Sequence, residues 1–343
     1  MYIWSPLPRS LGATFRDAEH EKPRIRISAI ADLARWVGTQ DRESCVRKLI
    51  ALVETDTDVE VRATAALALA DAGAAEGLGA LLEAAHAGPP RLRQMALVAI
   101  GELAEPGDAA AIRVVLGALR CDAPALRFQA LVAAGRLLTS EQLLPCLLTA
   151  LSDAESKLRY VACRIADERF SRNEGVEDAA VASLNARFCE LCADPEREVA
   201  LAAAVSLAAR GSAPAIELMI RALNGRRGFS QIEDEQAAIE LCADMHLDAA
   251  RPGLAARAFG GIFGGSSPLA FQARVALARL GDERACQQIV RGLSSWSRST
   301  RAQSVAAAGL ARLQAARPRL LEMRANGRAD QSSVDEALLA LDR

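Results

Sequence analysis

Apolar and polar positions recur along this chain in a block that appears nine times. The segments RISAIADLARW from residue 26, RATAALALADA from 62, RQMALVAIGEL from 93, RFQALVAAGRL from 127 and RYVACRIADER from 159 align without gaps. So do ALAAAVSLAAR from 200, EQAAIELCADM from 235, AFQARVALARL from 270 and RAQSVAAAGLA from 301. Their fourth position is Ala29, Ala65, Ala96, Ala130, Ala162, Ala203, Ala238, Ala273 and Ser304. The eighth, one helical turn further on, is Leu33, Leu69, Ile100, Ala134, Ala166, Leu207, Cys242, Leu277 and Ala308. Both positions fall on one helix face, and that face is predicted to be buried.

The anchors lie about 34 residues apart on average, room for two short helices and two turns. Breaks such as Glu105-Pro106-Gly107-Asp108, Gly211-Ser212-Ala213-Pro214 and Gly281-Asp282 stop one helix and offer a cap for the next. The second helix has apolar spacing of its own, as in Ile112, Val115, Leu116 and Leu119, or Ile216, Met219, Ile220 and Leu223. One such pair cannot bury its apolar face alone, whereas stacked pairs share a continuous core. The expected fold is therefore all-α: an α-α superhelix, or solenoid, of about nine helix pairs. Asp335 to Leu341 predicts a short C-terminal capping helix. Residues 1–16 fit no repeat and read as a lead-in, leaving 17–343 to the solenoid.

A first helix that opens with arginine, carries alanine three residues on, then leucine and often glycine, resembles the HEAT-like repeat of phycobilin lyase subunits, within the larger HEAT/armadillo class. The resemblance covers roughly residues 17–326. It implies a binding scaffold as the commonest task, a few enzymes among the family, and second helices lining the concave face. Position one is arginine at 26, 62, 93, 127, 159 and 301 but Ala200, Glu235 and Ala270 elsewhere. These arginines are expected to stitch neighbouring repeats through carboxylates or helix-end carbonyls.

The resemblance also sets limits. Iron-dependent hydroxylases on HEAT scaffolds need several His-Glu pairs, and His20-Glu21 is the one such pair here. HEAT-like DNA glycosylases need a basic concave face with tryptophan and a carboxylate. Trp36 ends a repeat helix, Trp4 lies in the lead-in and Trp296 in an inter-repeat turn, so no such pocket is read from them. No catalytic constellation stands out, and neither a metal nor a cofactor is expected. An enzyme of the lyase or glycosylase kind is the alternative class.

Composition reinforces closely packed helices: 72 of 343 residues are alanine, while aromatics make up 4%. Of the 41 basic residues, 38 are arginine, a skew that fits a GC-rich genome as readily as a function. No signal peptide and no stretch long enough to span a membrane is found, and the eight cysteines suggest no disulfide framework. A cytoplasmic protein is expected. Cys189 and Cys192 form one C-x-x-C without a second ligand pair.

Charge points to the C-terminal repeats. The total is −2, yet residues 250–328 hold 13 arginines against Asp282, Glu283 and Glu322. Within or beside that stretch Arg221, Arg257, Arg291 and Arg324 recur near one point of four consecutive second helices, a ladder suited to an acidic protein surface. A nucleic acid is the lesser alternative, because no regular aromatic interleaving accompanies the arginines. Two insertions, Asn224 to Gln231 and Gly260 to Pro268, follow second helices. The latter, next to Phe259, places Ile262 and Phe263 between glycines, where they are expected to meet a partner or fold back. A third irregularity, Phe170 to Asp178, lengthens a within-repeat turn and is expected to divide the stack. The expected function is a non-catalytic protein-binding scaffold or regulatory adaptor docking through its C-terminal repeats.

Overall fold

The computed structural model describes residues 9–170, 178–225, 227–260, 268–327 and 329–342. It divides into two compact units, Met1–Arg187 and Phe188–Arg343. All regular structure among the described residues is helical. In the first unit α1 (Leu11–Asp17) leads into the pairs α2 (Pro23–Trp36) with α3 (Arg42–Thr55), α4 (Val59–Asp71) with α5 (Leu78–Ala87), and α6 (Pro90–Leu103) with α7 (Ala109–Leu119). Next come α8 (Pro124–Leu137) with α9 (Ser140–Ala150), then α10 (Ser156–Phe170) and α11 (Asp178–Leu191), inside which the division falls. The second unit pairs α12 (Arg197–Ala209) with α13 (Ala213–Asn224), α14 (Ile232–Asp244) with α15 (Arg251–Phe259), and α16 (Pro268–Arg279) with α17 (Glu283–Gly292). It ends with α18 (Arg298–Leu310) against α19 (Arg317–Asn326), and α20 (Gln331–Leu341).

Within each unit the first helices form one layer, α2 to α10 and α12 to α20 by even numbers, each touching the next. The alanine column explains this layer. All eight alanines at the fourth position are 0% exposed and Ser304 is 7% exposed. A small residue there lets the partner helices approach, and Leu33, Leu69, Ile100, Leu207 and Leu277 at the eighth position are buried one turn further on. Neighbouring first helices are closer still at the ninth position: a Cβ built on Gly101 of α6 would lie 3.1 Å from Cα of Ala133 in α8. The contact of Gly309 in α18 with Ala337 in α20 repeats it at 3.0 Å. The predicted capping helix thus begins at Gln331 and packs as a further first helix.

Local signals set the ends of these helices. Asp58 accepts from the backbone N–H groups of Glu60 and Val61 at 2.9 and 3.1 Å, and Asp108 from those of Ala110 and Ala111 at 2.8 and 2.9 Å. Pro23, Pro90 and Pro124 occupy first-turn positions where no N–H is needed. The turn after the first helix places its twelfth repeat residue at positive φ: Gly73 (59°), Gly211 (83°), His246 (52°), Gly281 (78°) and Arg312 (49°). In each case the following N–H returns to the eighth-position carbonyl, as Ser212 does to Leu207 at 3.1 Å and Leu313 to Ala308 at 3.0 Å.

The first-position arginines stitch the frame as expected. Arg26 donates to both carboxylate oxygens of Asp56 at 2.8 and 2.7 Å, and to the carbonyls of His20 and Glu21 at 2.8 and 3.0 Å. Arg127 does the same with Asp153, at 2.9 Å twice, and with the carbonyls of Cys121 and Asp122 at 3.0 and 2.8 Å. Arg159 and Arg301 keep the carbonyl contacts, to Asp153 and Ala154 at 2.9 and 3.0 Å and to Ser295 and Trp296 at 2.8 and 2.9 Å. Arg62 and Arg93 reach last-turn carbonyls of the preceding second helix, Val53 at 2.7 Å and Ala85 at 3.0 Å. Those carbonyls have no partner inside their own helix, so a guanidinium there satisfies acceptors that the fold would otherwise leave open.

Candidate functional site

The four arginines of the expected ladder all lie on second helices of the second unit, but in different surroundings. Arg221 on α13 is exposed and pairs with Glu217 one turn back at 2.9 Å. Arg291 ends α17, exposed, with Gln287 at 3.5 Å as its contact. Arg324 on α19 lies 3.5 Å from Asp335 of α20 and is half exposed. Arg257 on α15 is different: its side chain is 16% exposed, it pairs with Glu235, and it donates to the carbonyls of Leu223 and Gly253 at 2.6 and 2.9 Å.

The surroundings of Arg257 follow from the repeat. Glu235 occupies the first repeat position, in the first turn of α14, where six repeats carry arginine. Leu223 lies in the last turn of the preceding second helix, the same place Arg62 and Arg93 reach in their repeats. At this repeat the guanidinium that satisfies the helix end comes from α15 and is held by a carboxylate on α14. Arg257 therefore performs the stitching role with the charges exchanged.

One contact that sequence spacing does not suggest centres on Arg284. Its guanidinium stacks over the ring of Phe259 with 4.0 Å to the ring centroid, joining the start of α17 to the end of α15. Arg284, Gln287, Gln288 and Arg291 form the exposed face of α17, and with Phe259 they line a polar hollow of about 280 Å³. Glu283 is engaged by Gln287 at 3.0 Å, and among the described residues neither Arg284 nor Arg291 has a carboxylate partner. A stacked guanidinium keeps its N–H edge free, in the fork geometry that matches a carboxylate. The sequence signal for Arg284 is the wholly polar face of α17 at spacing i, i+3, i+4, i+7.

Ile262 and Phe263 lie outside the described residues, as do 171–177 in the third irregularity. In the first insertion the carbonyls of Arg227 and Gly228 accept from Arg197 of α12, Gly228 at 3.3 Å. Asn224 accepts from the N–H of Gly253 at 2.8 Å and donates to the carbonyl of Ala249 at 2.9 Å, closing α13 onto the start of α15.

The opposite layer carries a second feature that sequence reading missed. Over α16, between α14 and α18, runs an open trough of about 710 Å³. Phe271 and Val275 form its floor, Ala302, Ala306 and Leu310 one wall, and Glu240 stands on the other. Leu310 is 60% exposed. In a chain so rich in alanine, two exposed alanines one turn apart give no visible signal. Among the described residues no three His, Cys, Asp or Glu side chains converge as a metal site, and no helix is long and apolar enough to cross a membrane.

Comparison with known proteins agrees with the geometry. A family model described as HEAT repeats matches residues 14–101. Among curated proteins none matches the chain. Of solved structures, a chain from the structure in which Kap95p binding induces the switch loops of RanGDP to adopt the GTP-bound conformation has a TM-score of 0.52 at 14% identity. The match covers 96% of this chain and 50% of that one. An engineered protein matches with a TM-score of 0.44 at 15% identity, covering 96% and 98% of the two chains. The Escherichia coli protein YibA matches at 0.43 and 15%, covering 89% and 97%. The chain is an all-helical stack of repeat pairs, and its residues 14–101 match HEAT repeats. The family match is to HEAT repeats in general rather than to the phycobilin lyase subtype.

Proposed function

We propose that this protein is a non-catalytic, cytoplasmic scaffold or regulatory adaptor that docks an acidic segment of a partner protein on the second-helix face of its C-terminal repeats. The observation that carries the reading is the Arg284 guanidinium stacked on Phe259, with Arg291 seven residues along the same face and, among the described residues, no carboxylate partner on either. An arginine already packed against a ring gives up little further freedom when it binds, so a bidentate carboxylate contact there is strong for its size. Arg221 and Arg324 extend the cationic surface on neighbouring second helices, while Arg257 holds the helices that present it. Ile262 and Phe263, which follow Phe259 in the sequence, are expected to add apolar contact to the same partner. The origin of a structural neighbour in a complex between proteins supports the reading.

The test is fluorescence polarisation with a labelled Glu-rich peptide of about twelve residues, against Arg284→Ala/Arg291→Ala, whose exposed positions leave the fold intact. The expected result is a loss of affinity of about tenfold or more, steeper at low salt. An unchanged affinity overturns the reading. A duplex DNA probe is expected to bind with only the nonspecific phosphate term, a Kd of about 10⁻⁴ to 10⁻⁶ M at physiological salt. Tight, salt-resistant DNA binding would replace protein docking by nucleic-acid binding.

A further inference from the structure

The trough over α16 lies on the first-helix layer, away from the arginine face, and its lining restricts what fits it. All its walls are helices, so it offers no strand edge to an extended peptide, whose backbone N–H and C=O groups would need partners along their length. A helix satisfies its own backbone and needs only shape and apolar surface. Ala302 and Ala306, one turn apart on α18, are small enough to let another helix approach to the usual 8–10 Å between axes, roughly. Phe271 and Val275 supply half-buried apolar surface in the floor, and Leu310 projects at one end.

The two walls differ in charge, which orients the occupant. On α14, Glu233, Glu240 and Asp244 are exposed at spacing i, i+7 and i+11, a single acidic stripe. Asp244 pairs with Arg279 at 2.7 Å, while Glu233 and Glu240 have no ion partner among the described residues. The facing wall on α18 presents Ala302, Gln303, Ala306 and Leu310, all uncharged.

We propose that this trough receives an amphipathic helix of a partner protein, its apolar stripe on Phe271 and Val275 and its lysines or arginines along the flank that faces α14. This is a second docking surface, independent of the acidic partner on the arginine face. The test takes the full chain and a fluorescein-labelled Leu/Lys amphipathic helix of about 18 residues. The controls are a Leu/Glu helix of the same pattern and a scrambled Leu/Lys peptide of the same composition. The Leu/Lys helix is expected to bind about tenfold more tightly than either control. Ala302→Gln/Ala306→Gln, which narrows the trough at exposed positions without adding charge, is expected to weaken it by about tenfold. Glu233→Gln/Glu240→Gln weakens it severalfold, and Arg284→Ala/Arg291→Ala leaves it unchanged. Equal binding of the scrambled or Leu/Glu peptide overturns the proposal. So does binding indifferent to the two alanines, or binding lost with the two arginines.

Discussion

Replacing Arg127 by methionine should destabilise the first unit by about 2–3 kcal/mol at neutral pH. The arginine makes two bonds to Asp153 at 2.9 Å and two to backbone carbonyls at 3.0 and 2.8 Å. The side chains are 18% and 14% exposed, so the loss falls short of the roughly 3–5 kcal/mol of a fully buried pair broken on one side. Methionine keeps most of the aliphatic volume, and Asp153 retains the N–H of Glu155 at 2.9 Å. Burial pushes the Asp153 carboxyl up, but its bonds to Arg127 and to the Glu155 N–H, with the charges of Arg127 and Arg159, more than offset this and hold it below 3.8. A carboxyl depressed in the folded state stabilises above its unfolded pKa and loses that contribution as pH falls through the folded value. The deficit of the variant should therefore be full at pH 7 and shrink below about pH 4. Native-state hydrogen exchange of α8 and α10 amides reads the loss locally, where a stack of repeats need not unfold in one step. A change under about 0.5 kcal/mol, or one equal at both pH values, would refute the stitching role.

Ala96→Leu should overpack the seam between α6 and its neighbours and destabilise by about 1–3 kcal/mol, and an unchanged melt would remove the alanine column as the basis of the stack. Arg312→Gly should raise stability by about 1 kcal/mol, because arginine there holds φ at 49°; a urea midpoint that falls instead would show that its side chain contributes more than the turn. Burial pushes the Cys242 thiol up to about 12 and, with the neighbouring Cys189 adding, Cys192 up to about 11. Iodoacetamide should accordingly label exposed Cys189 first and reach Cys242 only on unfolding, as peptide mass spectrometry would show; early labelling of Cys242 contradicts that burial.

The repeat was legible because it rests on contacts that tolerate few residue types. Ala29 through Ala273 sit where two helices nearly touch, and any larger side chain separates them, so composition and period both expose the column. First-position arginines were legible for a similar reason, since helix-end carbonyls recur with each repeat. The turn was legible at Gly211 and Gly281 but not at His246 or Arg312, whose neighbouring structure holds a left-handed residue that lacks glycine's freedom. Register alone could not separate Arg257 from Arg291, because the difference lies in Glu235 on another helix. Arg284 escaped notice because its ring partner Phe259 ends α15 while Arg284 opens α17, with the whole of α16 between them in the sequence. The trough was invisible for a different reason: its walls are small residues on three helices, and depth is a property of their spacing.

Hydrogen exchange of the whole chain with and without the Glu-rich peptide tests the central claim most directly. The account predicts slower exchange confined to the end of α15 and to α17, around Phe259, Arg284 and Arg291, and lost in Arg284→Ala/Arg291→Ala. Protection in α3 to α9 of the first unit, or none anywhere at saturating peptide, would contradict docking on the C-terminal repeats.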